Sequence, residues 1–212
     1  MARRTRQEAE QTQAVVLGAA IQVFLERGVA RATLEEVARA AGVTRGAVYW
    51  HFRNKLDLFM AIDRRARLFS DQVLAGVAAY DGPDPLAALT RALVAALALV
   101  EADTELRRML TVLLLRCEYT GDMAPALDRQ RRSDESMRAE FIRIFERAAA
   151  AGTLAQAWRP EAAALALHAL LVGLLHIWLH GSEARLAVEG AETVRSFLAS
   201  LRAAPLATES AR

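Results

Sequence analysis

The sequence predicts an all-α protein of about nine helices: a three-helix N-terminal head and a larger helical C-terminal body. Three observations carry this. Apolar residues recur at i, i+3, i+4 and i+7 along most of the chain, and no stretch alternates as a half-buried strand would. The apolar runs are punctuated by helix breakers: Gly28, Gly42, Gly121, Gly152, Gly181 and the segment DGPDP at 81–85. Hydrophobic residues make up 54% of the 212 positions, enough to bury a helical body, and alanine runs favour helix over linker.

Residues 1–11 are basic and polar with no core-forming period. They read either as a frayed tail or as an arm whose Arg3, Arg4 and Arg6 touch phosphates or a minor groove. The first helix is expected from Thr12 to Arg27, with Val16, Ala20, Val23 and Phe24 inward and Gly28 past its end. The second starts behind Thr33, a suitable N-cap that Glu36 completes as a capping box. Leu34, Val37, Ala38 and Ala41 form its stripe, and Gly42 supplies the turn. Thr44 caps the third helix, which runs into Tyr49, Trp50, His51 and Phe52.

A fourth helix is expected from Lys55 to about Ala79. Leu56, Phe59 and Ile62 pack back on the head, and Leu68, Phe69 and Val73 reach the body. Asp84 caps a fifth helix with Pro85 at N1. Its inward residues are Leu89, Leu93, Ala96, Leu97 and Val100. The sixth runs from Thr104 to Tyr119, the seventh from Ala124 to Ala151, the eighth from Pro160 to Gly181 and the ninth from Glu183 to Arg202, with a loose tail after Pro205.

The third helix separates into two faces when its residues are placed 100° apart. Val48 and Phe52 fall on one side, suited to packing. Arg45, Gly46, Tyr49 and Trp50 share the other. A cation, a position without a side chain, a phenol and an indole suit a sugar-phosphate groove, where cations and hydroxyls fix the backbone and base edges give specificity. Two short helices, a glycine turn and reading groups on the second describe a helix-turn-helix.

The segment Val15–Ile62, and VTRGAVYWHFRNK at 43–55 above all, resembles the DNA-binding domain of TetR-family transcriptional regulators. MARRTRQEAEQT at the start, LLLRCEYTGDM at 113–123 and GLLHIWL at 173–179 resemble the AcrR/TtgR branch, which represses multidrug efflux genes. The resemblance implies a helix-turn-helix domain at about 1–55 (family domain about 10–70, helix-turn-helix 33–52) and a ligand-binding, dimerising domain at 56–212. It implies that Thr33, Thr44, Tyr49, His51 and Lys55 hold phosphates. Gly46 lets the backbone approach the duplex. Arg45 is the candidate for a guanine edge, and Trp50 packs on sugar, thymine methyl or backbone.

Charge agrees with that division. Residues 1–55 carry nine Lys and Arg against five acids, a net of +4, and the rest of the chain is net −2. A basic head on a mildly acidic body is the footprint of a polyanion binder.

The body shows no GxGxxG after a strand, no P-loop, no HExxH and no CxxC. No cofactor and no metal site are expected. His176 and His180 share a helix face but lack a third ligand. No Ser, Cys or Thr is placed beside a His as a nucleophile, so an enzyme is not expected. Cys117 is the only cysteine and reads as a small core residue more readily than a redox sensor.

For the resembled branch a ligand cavity lies in the body. Here its lining is expected from Leu93 and Leu97 on the fifth helix, Leu110, Leu113, Leu114 and Cys117 on the sixth, Met137 and Phe141 on the seventh, and Val172 and His176 on the eighth. Arg67, Ser70, Gln130 and His176 are candidate polar anchors. Periodicity alone favours a fully packed core, and it is the resemblance that points to a cavity. Some relatives carry polar groups where this chain has Leu110, Leu114 and Val172, so its ligand range need not match theirs.

Residues 162–179 approach the length of a membrane span but contain His168 and His176. A helix apolar all round is also one buried between helices. The resemblance favours a dimer interface built from helices eight and nine over a membrane. The expected protein is thus a cytoplasmic, nucleoid-associated homodimeric repressor of a multidrug efflux operon. It binds double-stranded DNA at an inverted-repeat operator and is released by a small apolar or aromatic effector. A regulator of metabolic or lipid genes, an activator, or a carrier or enzyme that kept a DNA-binding head remain alternatives.

Overall fold

The computed structural model describes residues 2–203, with side chains from Gln7 onward. Among the described residues there are nine α-helices: α1 (Ala2–Arg27), α2 (Leu34–Ala41), α3 (Arg45–His51), α4 (Lys55–Ala78), α5 (Pro85–Ala102), α6 (Thr104–Leu115), α7 (Ala124–Ala150), α8 (Pro160–Leu179) and α9 (Ala191–Ser200). A 3-10 turn at Gly121–Met123 precedes α7, and a π turn at Leu186–Gly190 precedes α9. Among the described residues the one strand-type pairing is an isolated bridge between Leu154 and Arg202. Two compact units form, and they interleave along the chain. The first takes Met1–Ser70 and Asp103–Arg132; the second takes Asp71–Ala102 and Ser133–Arg212.

In the first unit α1 packs on α2, α3 and α6. Val16, Ala20 and Phe24 of α1 are fully buried, and Gly28 ends the helix at φ 77°. Val37, Val48, Phe52, Leu58, Phe59 and Ile62 complete this core. Burying one Phe or Leu side chain is worth about 1.5–3 kcal/mol, so even this small core outweighs the weak propensity of seven- and eight-residue helices. Val29 N–H donates to the Arg116 carbonyl at 2.9 Å, which ties the end of α1 to the end of α6.

In the second unit α5 packs on α9 and the π turn, and α8 on both of these. Leu86, Leu89, Leu93, Leu97 and Val100 of α5 are buried together with Phe141, Phe145, Leu167, Val194 and Leu198. Asp84 caps α5 as expected, accepting the Ala87 N–H at 2.9 Å, and its carboxylate also receives Arg202 Nη2 at 2.9–3.0 Å. One side chain thus starts α5 and anchors the residues after α9.

The structure corrects several sequence expectations. Residues 2–11 continue α1 rather than lying outside it. Gln, Glu, Ala and Arg sustain a helix without a core to pack on, and the Thr12 hydroxyl donates to the Glu8 carbonyl at 2.9 Å. The side chains of Arg3, Arg4 and Arg6 fall outside the described residues, as does the tail after Pro205.

Helix α6 stops at Leu115, four residues short of expectation, because tertiary partners take its last carbonyls. Tyr119 OH donates to Leu113 O at 2.9 Å, and Arg116 O serves Val29. Helix α9 begins at Ala191 rather than Glu183. The Glu101 carboxylate of α5 accepts the Ala187 N–H at 2.7 Å and pairs with Arg185, while Arg185 N–H donates to Glu189. These bonds open the turn to π geometry. Leu68, expected to reach the body, is 61% exposed. In the second half of α4, Leu74 and Val77 are the buried positions.

Two helices, α5 and α8, are long and apolar enough to cross a membrane by length and composition. Much of α5 is the core just described. Leu165, Val172 and Ile177 of α8 are exposed.

Candidate functional site

The helix-turn-helix is held by local hydrogen bonds. Glu36 N–H donates to Thr33 Oγ1 at 3.2 Å, and Thr33 N–H donates to Glu36 Oε2 at 3.0 Å, a complete capping box. The Thr33 N–H keeps the Glu36 carboxyl below its ordinary value, against a smaller burial effect, with Arg27 Nη1 at 3.1 Å in support. Gly42 adopts φ 66°, and its N–H closes α2 onto Ala38 and Arg39 carbonyls. Ala47 N–H donates to Thr44 Oγ1 at 3.2 Å to start α3. Both threonine hydroxyls accept from the backbone; that of Thr33 also bonds the Glu36 carboxylate, while that of Thr44 keeps its hydrogen to donate.

The two faces of α3 separate as the helical wheel predicts. Val48 and Phe52 are buried. Arg45 is 63% exposed, Trp50 73% exposed, and Tyr49 is also open to solvent. At Gly46 an added Cβ would meet nothing closer than Thr44 Oγ1 at 3.9 Å, so the chain itself has room for a side chain there. Any demand for glycine at this position comes from a partner.

The His51 ring sits edge-on to Trp50 at 4.5 Å between centroids. Partial burial lowers its pKa, which favours the neutral ring with a single N–H at neutral pH. Lys55 Nζ donates to the Ala30 carbonyl at 2.6 Å, which aims its ammonium along the α1–α2 connection. The structure therefore places Thr33, Thr44, Arg45, Gly46, Tyr49, Trp50, His51 and Lys55 within one unit, on α3 and on the residues that begin α2, α3 and α4.

Sequence reasoning missed four residues of this unit. Asn54 Oδ1 accepts the Asp57 N–H at 2.9 Å, and Asp57 accepts the Arg53 N–H at 3.1 Å, which caps α4. The N-x-x-D spacing was a legible signal for it. Glu35 pairs with Arg45 at 3.0 Å. Asp63, the one buried charged residue among those described, receives Arg67 Nε at 2.9–3.0 Å and Arg129 Nε at 3.3 Å.

The expected effector residues divide between the units. In the first, Leu113 is buried, while Leu110, Leu114, Cys117 and Gln130 are half-buried. Arg67 is committed to Asp63, and the Ser70 hydroxyl donates to the Arg67 carbonyl at 3.0 Å. Cys117 follows the end of α6. Burial pushes its thiol up to about 11, so little thiolate exists at neutral pH and oxidation is disfavoured.

In the second unit Leu93, Leu97 and Phe141 are core residues, and Met137 is half-buried. Val172 and His176 instead line an open groove of about 530 Å³ on the outside of α8, with Leu165, His168, Ile177 and Asp134. His168 Nε2 stands 3.8 Å from Asp134 Oδ1 there. Among the described residues no group of three His, Cys, Asp or Glu side chains is arranged to hold a metal ion.

Comparison with known proteins locates the chain. The model of bacterial regulatory proteins of the tetR family matches residues 16–62. The model of the C-terminal region of MAATS-type transcriptional repressors matches residues 84–202. The transcriptional repressor BepR of Brucella suis biovar 1 (strain 1330) is 43% identical over 202 residues, covering 95% of this chain and 97% of BepR. NalD, the secondary repressor of the MexAB-OprM multidrug efflux pump in Pseudomonas aeruginosa, superposes with a TM-score of 0.81 at 34% identity, covering 92% of this chain and 98% of NalD. SmeT, repressor of the Stenotrophomonas maltophilia pump SmeDEF, has been solved with triclosan. It superposes with a TM-score of 0.79 at 30% identity, covering 90% and 91%.

Proposed function

Because the chain belongs to the TetR family of bacterial regulatory proteins, we propose that it is a ligand-responsive repressor of a multidrug efflux operon, released from its operator by an apolar, aromatic effector. The observation that carries this reading is the exposed face of α3. Arg45, Tyr49 and Trp50 stand in solvent on a helix fixed at both ends by caps, beside a glycine with free space. A large indole left in water on a basic head is accounted for by a duplex that covers it. The relatives named above are transcriptional repressors, two of them of multidrug efflux pumps, and one is known with triclosan bound.

In this reading residues 1–55 contact DNA, and residues 56–212 bind effector and dimerise. The exposed apolar residues Leu165, Val172 and Ile177 of α8 are covered by α8 and α9 of a second copy. Two-fold symmetry then makes the operator an inverted repeat. Effector contacts fall to the half-buried Leu110, Leu114 and Cys117, with Gln130 as polar anchor, in the same unit as the reading helix. Release requires that the effector bind the DNA-free state more tightly than the DNA-bound state; affinity alone shifts nothing. The protein acts in the cytoplasm, on the nucleoid, and carries out no catalysis.

A genome-wide map of bound sites, repeated with and without triclosan, tests this. The expected result is occupancy of an inverted repeat upstream of an efflux operon that falls when the compound is added. Occupancy confined to other genes overturns the pump assignment. Occupancy indifferent to triclosan and to related apolar aromatics overturns the release mechanism.

A further inference from the structure

The cation on the reading face is not free. Arg45 Nη2 lies 3.0 Å from Glu35 Oε1 and donates to Tyr49 OH at 3.3 Å, with the guanidinium carbon 5.2 Å from the Tyr49 ring centre. Glu35 is in the first turn of α2 and Arg45 opens α3, so the contact crosses the turn. Nη2 is thus engaged twice, by the Glu35 carboxylate as an ion pair and by the Tyr49 hydroxyl as a hydrogen-bond acceptor. A guanidinium pairs with a guanine edge through one of two forks, Nε with Nη2 or Nη1 with Nη2. Both forks contain Nη2. Either fork therefore brings a base edge to the nitrogen that Glu35 and Tyr49 already hold.

We propose that Glu35 is a specificity-determining residue that acts through Arg45: it holds the guanidinium on DNA of the wrong sequence and yields it where a guanine stands in register. This rests on the reading of α3 as the DNA-contacting helix. An exposed ion pair shifts an equilibrium by about 1.4- to 5-fold, whereas a good bidentate base contact discriminates by about 5- to 150-fold. The correct base pair therefore outcompetes Glu35, and a wrong one does not. Held by Glu35, Arg45 is locally neutral and contributes little to the phosphate attraction that drives non-specific binding. Suppressing the wrong partner in this way is a route to specificity that needs no added contact to the right one.

The test uses the full-length protein and three duplexes: the sequence the wild type selects from a random pool, its single-base-pair variants, and a scrambled duplex of equal length. Affinities are read by fluorescence anisotropy across a salt series for wild type, Glu35→Gln, Arg45→Ala and the double variant. Glu35→Gln is expected to tighten binding to the scrambled duplex about 2- to 5-fold and to steepen its salt slope by about 0.9 per head. The selected duplex gains less, so the ratio between the two falls. In the Arg45→Ala background, Glu35→Gln is expected to change neither duplex.

Unchanged scrambled-duplex affinity in Glu35→Gln overturns the proposal. So does an equal gain in the Arg45→Ala background, since Glu35 would then act on phosphates directly. If Arg45→Ala binds the selected duplex as the wild type does, the reading of α3 itself falls, which the wild-type comparison reveals independently of Glu35.

Discussion

Asp63 and Glu35 both hold arginines, in the same compact unit and at similar distances. Asp63 is 4% exposed and receives Arg67 at 2.9 Å and Arg129 at 3.3 Å. Glu35 is 45% exposed and pairs with Arg45 at 3.0 Å. Like chemistry thus serves two ends. A buried carboxylate stripped of its cations has no water to turn to, so the Asp63 cluster is committed to the fold. An exposed pair exchanges with solvent at little cost, so Arg45 stays available to an outside ligand.

The sharpest way to break this contrast is to remove the buried member. Asp63→Asn is expected to lower unfolding free energy by about 3–5 kcal/mol in urea titrations, because two arginines lose their shared charge. Glu35→Gln should stay within about 0.5 kcal/mol. Equal losses would erase the distinction between the two sites.

Next in size is the converse. Arg45→Ala is expected to weaken binding to the selected duplex by about 1–3 kcal/mol and to relax one base-pair position, with unfolding unchanged. Loss of stability in Arg45→Ala would mean that this pair also serves the fold.

A smaller effect belongs to the cap that holds Glu35's helix in place. Thr33→Ala is expected to lose about 1 kcal/mol of stability. Glu36, the other half of that box, has its carboxyl held below the usual carboxylate range by the Thr33 N–H. A depressed carboxyl stabilises above its unfolded value and ceases to do so as pH falls through its folded value. Stability measured from pH 7 to pH 3 should therefore drop below about pH 4.5, and Glu36→Gln should flatten that drop. The smallest change is electrostatic. Lys55→Ala is expected to weaken all duplexes alike and to flatten the salt slope by about one, in contrast to the sequence-dependent loss in Arg45→Ala.

What could be read in advance follows the range of each interaction. The capping box at Thr33 and Glu36, the cap at Thr44, the turn at Gly42 and the Asp84–Pro85 start of α5 join residues two or three positions apart, so spacing revealed them. The inward Val48 and Phe52 and the outward Arg45, Tyr49 and Trp50 followed from the 100° step of a helix. The end of α6 did not, because Tyr119 and Val29 claim its carbonyls from outside the helix. The start of α9 escaped for the same reason: Glu101, 86 residues from Ala187, decides it.

The lone Asp63 among apolar neighbours, with Arg67 four residues on, was a visible hint. Its second partner, Arg129, lies 66 residues away and left no trace in the pattern. Periodicity also turned Leu68 toward the body, yet it stands exposed, since an apolar residue on a helix names a face and not the element that covers it. Composition, caps and helical period thus established an all-helical chain with a basic head and a two-faced third helix, because each is a property of residues within one or two turns. Only the folded chain showed that Arg45 is held by Glu35, that Asp63 gathers two arginines, and that Val172 and His176 face outward. Those outcomes depend on which distant segments meet, and their strength depends on how much water the meeting excludes.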